Sequence, residues 1–314
     1  MRTTTQRTSR TNVAGIGFLV LAMFVLSLQD IAIKWINGSY PVLEITILRN
    51  LAALPCTLIL FRMEGGRGLP TTQRYTLEYA RGLLLFLSFT TYMMGLAALP
   101  LADVSAIRNS APLLITFLSV VLLGEHVGSR RWLALIIGFM GVLLIIQPGG
   151  ATFNMGSIFV LLATLFYALN IIITRQLRTT DSSATMAYYS TLVYLAAALI
   201  LTPFVLFVGE IPNAHPSIVF LFRAWAMPTL TDWLIMVGLG FIWAIGMYLI
   251  ARAYSLAQAS AAAPFEYVAL LFSVFWGFTI WGEIPTWATW IGATITVLSG
   301  LYILYRERAE PPST

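Results

Sequence analysis

The sequence predicts an all-α membrane protein with ten transmembrane helices arranged as two inverted five-helix repeats. Three observations predict it. Of 314 residues, 59% are hydrophobic and only 10% charged, far from the balance of a soluble globular chain. Apolar runs of about 20 residues, each able to cross about 30 Å of hydrocarbon, follow one another along the chain. Short motifs also recur between the two halves. Lipid takes the place of water around such helices, so no large soluble core is required.

The spans are expected at 13–34, 41–61, 80–99, 101–123, 132–148, 155–174, 185–208, 232–252, 259–281 and 287–305. A helix that is apolar all round carries little periodicity, so loop charges and Gly/Pro breaks set these limits. Arg2, Arg7 and Arg10 ahead of the first run resemble a signal-peptide head. That run continues to Ile36, carries Gln29 and Asp30 and lacks a small-x-small cleavage site, so a retained first helix is expected. With the amino terminus inside, the inner segments collect Arg62, Arg67, Arg74, Arg130, Arg131, Arg175, Arg178, Arg252, Arg306 and Arg308. The outer segments keep only Lys34 and Arg223 near the surface. Basic loops resist translocation, which places both termini in the cytoplasm. The net charge of +5 thus reflects orientation and does not point to a nucleic-acid partner. Cys56 is the only cysteine, so no intrachain disulfide can form.

The repeat is read from three matches. Gly124-Glu125 followed by Trp132 recurs as Gly282-Glu283 followed by Trp290; Leu101–Ala106 recurs as Leu256–Ala261; and Asp30-Ile31 matches Asn170-Ile171. The halves are drawn at 1–150 and 151–314, and the Gly209–Thr231 loop takes up the extra length of the second. Five is an odd number of crossings, so the second copy enters from the opposite side. Inverted repeats place a binding site near the midplane, between the halves.

Polar residues inside the spans are the site candidates, because charges in hydrocarbon are expensive and usually face a cavity or a partner. The ninth span carries Ala263-Pro264-Phe265-Glu266-Tyr267 and its counterpart, the fourth, carries Arg108-Asn109-Ser110-Ala111-Pro112. Arg108 and Glu266 are expected to converge on one chamber; the alternative is that Glu266 belongs to a satisfied buried network. Pro112 and Pro264 each remove a backbone hydrogen bond, giving either a hinge or a tolerated kink. Arg49 lies too deep in the second span to reach either surface, and has either a cavity role or a structural pairing with Glu44 or Asp30. Asp30 and Lys34, four residues apart, are expected to form an intrahelical ion pair. Phe89, Tyr92, Trp243, Tyr248 and Tyr267 are candidates for lining a pocket for a flat or amphipathic solute, and Trp132, Trp233, Trp287 and Trp290 are expected at the interfaces. The set expected to bind a solute is Arg49, Tyr92, Arg108, Asn109, Asn170, Trp243, Glu266 and Tyr267.

Absences narrow the function. Lys34 is the only lysine, so no G-x-x-x-x-G-K-[ST] phosphate loop exists. His126 and His215 are the only histidines and fall in loops on opposite sides, so no paired-His metal site, H-E-x-x-H motif or G-x-S-x-G elbow can be assembled. No cofactor, metal or enzymatic activity is expected.

The Gly124–Trp132 and Gly282–Pro285 loops, Ala263–Tyr267, Lys34-Trp35, Tyr40-Pro41 and Arg49 together resemble the EamA domains of the drug/metabolite transporter superfamily, over nearly the whole chain. The A-P-F-E-Y form resembles the branch holding riboflavin and S-adenosylmethionine importers. The resemblance implies a carrier in the bacterial cytoplasmic membrane, moving small organic metabolites through a cavity between the third, fourth, eighth and ninth helices. Arg108 departs from the family pattern, which usually has a small or uncharged residue there, and favours a solute with a carboxylate or phosphate. Partners implied are the solute, membrane lipid and a proton or other coupling ion, with a homodimer left open. A passive channel and a non-transporting assembly subunit remain as alternatives.

Overall fold

A computed structural model describes residues 2–36, 39–123, 129–147, 154–177, 179–256 and 263–309. Among them the chain is helical throughout: α1 (Arg2–Ile36), α2 (Val42–Met63), α3 (Tyr75–Leu96), α4 (Leu101–Arg108), α5 (Ala111–Leu123), α6 (Ser129–Ile146), α7 (Met155–Leu177), α8 (Ser183–Val208), α9 (Pro216–Phe222), α10 (Leu230–Leu256), a 3₁₀ turn (Ala263–Tyr267), α11 (Val268–Trp281) and α12 (Trp287–Ala309). Each predicted span overlaps a helix. The fourth is split between α4 and α5, and the described part of the ninth between the 3₁₀ turn and α11. The predicted Gly209–Thr231 loop contains the short helix α9. The Gly124–Gly128 segment, with Glu125 and His126, lies outside the described residues, as do Arg178 and most of the second copy of the Leu101–Ala106 motif.

Among the described residues six helical stretches are long and apolar enough to cross a membrane: Val13–Ile36, Val42–Met63, Asp103–Leu122 (α4 with α5), Met155–Leu177, Ser183–Val208 and Leu230–Tyr254. Two shorter apolar stretches, Trp132–Ile146 and Phe265–Trp281, join them. The outer surface is apolar, with Phe207 90%, Ile200 78% and Trp287 83% exposed. In water such a surface would aggregate; against lipid it is the stable arrangement. Of the predicted interfacial tryptophans, Trp233, Trp287 and Trp290 are exposed and Trp132 is partly covered.

Six helix pairs dominate the packing: α3 with α7, α6 with α12, α1 with α10, α2 with α10, α2 with α8 and α3 with α8. Lipid tails are as apolar as leucine, so helices associate in a membrane through close packing and hydrogen bonds more than through burial. The α6–α12 pair uses two glycines. A Cβ on Gly141 would sit 2.7 Å from the Gly292 carbonyl oxygen, and one on Gly292 would sit 2.5 Å from that of Gly141. Hydrogen bonds tie α3 to its neighbours. The fully buried Arg81 donates from Nε to Thr174 Oγ1 at 2.9 Å and from Nη1 to the Met186 carbonyl and Ser190 Oγ, both at 2.7 Å, with Glu78 at 3.5 Å.

Candidate functional site

The two breaks in the helices build the site. In the fourth span Pro112 lacks the N–H that would bond the Arg108 carbonyl, so α4 stops. Ser110 N bonds the Ile107 carbonyl at 3.0 Å, a 3₁₀-type closure, and Ser110's own carbonyl accepts from Leu114 N at 3.1 Å to start α5. In the other half the chain makes a 3₁₀ turn through Ala263–Tyr267 before α11 begins. These interruptions set Arg108, Asn109 and Glu266 in the wall of one cavity, together with Ser27 and Asp30 of α1 and Tyr167 of α7. It encloses about 500 Å³ between atoms, mouth included.

A second cavity of about 510 Å³, mouth included, shares Leu26, Arg108 and Tyr167 with the first, so the two adjoin across those side chains as a chamber of two compartments. Its wall is aromatic. Phe89 and Tyr92 come from α3, Tyr194 from α8 and Trp243 from α10. Leu85, Phe89 and Tyr92 are spaced four and three apart, as are Trp243, Met247 and Ile250, which puts each set on one helix face. Phe89 and Tyr194 lie 5.9 and 5.1 Å from Trp243, ring centre to ring centre.

At the polar end Glu266 is 7% exposed, and its Oε1 accepts from Tyr254 Oη and, at 3.3 Å, from Tyr167 Oη. Arg108 lies over two rings, 4.9 Å from Tyr92 and 5.8 Å from Tyr167, and feels the charges of both Asp30 and Glu266. Asp30 Oδ1 and Asn109 Nδ2 are buried without a hydrogen-bond partner. A guanidinium, two carboxylates and unpaired donors and acceptors around one void can grip a polar ligand head. Among the described residues no group of three or more His, Cys, Asp or Glu could hold a metal ion.

Several expected residues sit elsewhere. Arg49 reaches neither Glu44 nor Asp30: its guanidinium carbon lies 3.7 Å from the Phe89 ring centre, 4.3 Å from Trp243 and 5.3 Å from Tyr194, behind the aromatic wall. Glu44 instead accepts from Ala226 N at 3.3 Å. Asn170 Nδ2 donates to the Arg81 carbonyl at 3.1 Å and locks α7 to α3. Tyr267 is buried with its hydroxyl unpaired but lines neither compartment, and Tyr248 is absent from both walls. Lys34 pairs with Glu283, 249 residues away, and not with Asp30; Glu283 also accepts from Leu101 N at 3.0 Å.

Residue spacing gives little notice of Tyr167 and Tyr254, which hold Glu266, or of Asp30 as a cavity wall. The one available signal was Asp30 itself, an acid in mid-span without an acceptable local partner once Lys34 is drawn to the surface. Arg81 was signalled by Glu78 three residues before it in an otherwise apolar helix.

Apolar-surfaced helices around a buried polar chamber define a multi-pass membrane protein. Residues 13–147 and 154–305 each match the EamA-like transporter family, and the chain belongs to it. It is 28% identical over 294 residues to the S-adenosylmethionine uptake transporter of Rickettsia bellii, covering 94% of each chain. It is 30% identical over 274 residues to the riboflavin transporter of Vibrio cholerae, covering 87% of this chain and 86% of that one. A pseudopaline exporter of Pseudomonas aeruginosa is 24% identical over 288 residues, 91% of this chain and 94% of its own. A solved crystal structure shares the fold, with a TM-score of 0.65 at 17% identity over 93% of this chain and 98% of its own. Its relatives being transporters, the chain has a transport role with a small-molecule substrate.

Proposed function

We propose that the protein is a secondary carrier that moves a small amphipathic organic metabolite across the bacterial cytoplasmic membrane by alternating access. The observation that carries this reading is the pair of adjoining cavities inside the helix bundle, one charged and one aromatic. Ten membrane crossings in two inverted units, 1–150 and 151–314, with both termini cytoplasmic, fit the packing. Exchanging α1 with α7, α2 with α8, α3 with α10 and α6 with α12 turns the α1–α10 contact into α7–α3 and the α2–α10 contact into α8–α3, both of which occur. Such a scaffold exposes its central site to one side at a time as one unit rocks against the other.

The chamber favours a ligand with a flat ring for Phe89, Tyr92, Tyr194 and Trp243 and a polar head for Asp30, Arg108, Asn109 and Glu266. Riboflavin and S-adenosylmethionine, the solutes in the relatives' names, both pair a flat heteroaromatic ring with a polar chain. The relatives include an uptake transporter and an exporter, so direction follows the driving gradient and not the fold. Glu266 is our candidate for carrying a coupling proton, a reading supported by its burial in the polar compartment.

The test is counterflow. Purified protein in vesicles preloaded with unlabelled S-adenosylmethionine or riboflavin should concentrate the labelled compound transiently above its outside level. Non-saturating flux without that overshoot would make the protein a channel. No flux, with no ligand raising the melting temperature in a screen of flavins, adenosyl compounds, amino acids and organic acids, would leave an assembly subunit. Glu266→Gln should bind ligand yet lose its response to a pH gradient; an unchanged response removes the proton from the mechanism.

A further inference from the structure

Arg49 is a fully buried guanidinium whose three nitrogens have no hydrogen-bond partner. Its flat faces are served, because Phe89 and Trp243 lie 3.7 and 4.3 Å from its central carbon, ring centre to carbon. Ring faces offset part of a buried positive charge but do not take N–H bonds in the plane of the guanidinium. The Tyr194 hydroxyl is an acceptor that Arg49 approaches outside good hydrogen-bond geometry, and the donors left unserved carry a desolvation cost that a single anion would remove.

Among the described residues no carboxylate supplies that anion. Glu44 is held at the Ala226 amide, Asp30 lines the Arg108 compartment, and the ion pairs among the described residues are Lys34–Glu283 and Arg81–Glu78. The ring that covers Arg49 carries a second such donor: Trp243 Nε1 is also buried and unpaired. Phe89, Tyr194 and Trp243 have two roles at once. They line the aromatic compartment and they touch Arg49, so only one layer of rings separates this guanidinium from the space where a ligand would lie.

We propose that Arg49, with Trp243 Nε1, is an anion subsite behind the aromatic wall, which takes a carboxylate or phosphate carried by the ligand when the rings part. The inference rests on the chamber being the ligand site. It divides the chamber electrically. The Arg108 compartment already holds two acids against one guanidinium and suits a cationic or neutral polar head, whereas Arg49 carries a charge that only the ligand balances.

The experiment uses probe pairs that differ in one anionic group: benzoate against benzamide, adenosine 5′-monophosphate against adenosine, and riboflavin 5′-phosphate against riboflavin. Each is titrated onto the purified full-length protein in lipid nanodiscs, and half-saturation is read from the melting temperature. A charge-assisted, bidentate contact predicts that the anion of a pair half-saturates at a concentration about tenfold lower than its neutral partner. Preference in the benzoate pair alone assigns the site to carboxylates, and in the nucleotide pairs alone to phosphates. Arg49→Gln should erase the preference while the neutral probes still bind, and Arg49→Lys should keep part of it. If Arg49→Gln does not fold, Trp243→Phe decides, since it keeps a ring but loses the N–H and should lower the preference severalfold.

No preference in any pair of the wild type overturns the subsite, as does a preference intact in Arg49→Gln or, failing that variant, in Trp243→Phe. Loss in Arg108→Gln with retention in Arg49→Gln would overturn it too. Counterflow without anion preference would sink the subsite alone; anion preference without counterflow would sink the carrier alone.

Discussion

Arg49 is fully buried and Arg108 half-buried in the membrane-spanning region, and their surroundings are opposite. Arg108 lies in a cavity with Asp30 and Glu266, beside two tyrosine rings. Arg49 is walled in by Phe89, Tyr194 and Trp243, and among the described residues no acid pairs with it. The difference teaches that a guanidinium in hydrocarbon is kept in two physically distinct ways, by counter-charge or by π faces. The first leaves a site whose guanidinium is already matched by acids of the chain, and the second a site that still needs an anion. The sequence alone gives Arg108 the ligand's carboxylate or phosphate and leaves Arg49 with either a cavity role or a pairing with an acid of the chain.

Reversing the charge at Arg108 is the hardest blow to this division. Arg108→Glu would gather three carboxylates around one void, where removal of a buried partner costs about 3–5 kcal/mol. Uptake should fall by about a hundredfold or more while the protein still reaches the membrane. Unimpaired transport would mean that the balanced compartment is not part of the route.

The Arg49 end can be disturbed without touching a charge. A Cβ on Gly240 of α10 would sit 2.4 Å from the Arg49 carbonyl oxygen and 2.7 Å from Ala52 Cβ on α2, so this glycine lets the two helices approach and brings Trp243, one turn on, over the guanidinium. Backbone cannot give way as a flexible side chain does. Gly240→Ala should cost about 1–3 kcal/mol and lower the melting temperature. Gly238→Ala is the control, since nothing lies within 4 Å of the added methyl, and it should be neutral or slightly stabilising through helix propensity. Equal effects of the two would show that close approach of α2 and α10 does not hold the aromatic box.

What the sequence revealed and concealed follows the range of the interactions. Apolar run length is local, so every predicted span overlaps a helix among the described residues, and the prolines at 112 and 264 mark where the fourth and ninth spans are interrupted. Arg108, Asn109 and Glu266 could be brought together in thought because the internal repeat turns two distant segments into counterparts. Contacts that the repeat does not relate were beyond reach. Asn170 matches Asp30 in the repeat, yet it bonds the Arg81 backbone while Asp30 faces the cavity. Tyr254 and Tyr167 look like ordinary membrane aromatics until both hydroxyls are seen on one carboxylate.

Lys34 gives the smallest effect. A spacing of four residues pairs it with Asp30, but the side chain ends on Glu283 beside the Leu101 amide and lies 4.9 Å from the Trp281 ring centre. The link joins α1 to the loop before α12, across the two halves, on the side predicted to face outward. Its side chains are 14% and 23% exposed, so water and salt screen it and its contribution is about 1 kcal/mol. Lys34→Gln and Glu283→Gln should each lower the melting temperature slightly, and the double variant should fall no further than the worse single one. Additive losses would show that the two act separately. If the link also closes the outer mouth, both single variants should speed the labelling of a cysteine introduced at Ser27 by an external thiol reagent, in a Cys56→Ser background, and unchanged labelling would confine the pair to a structural role.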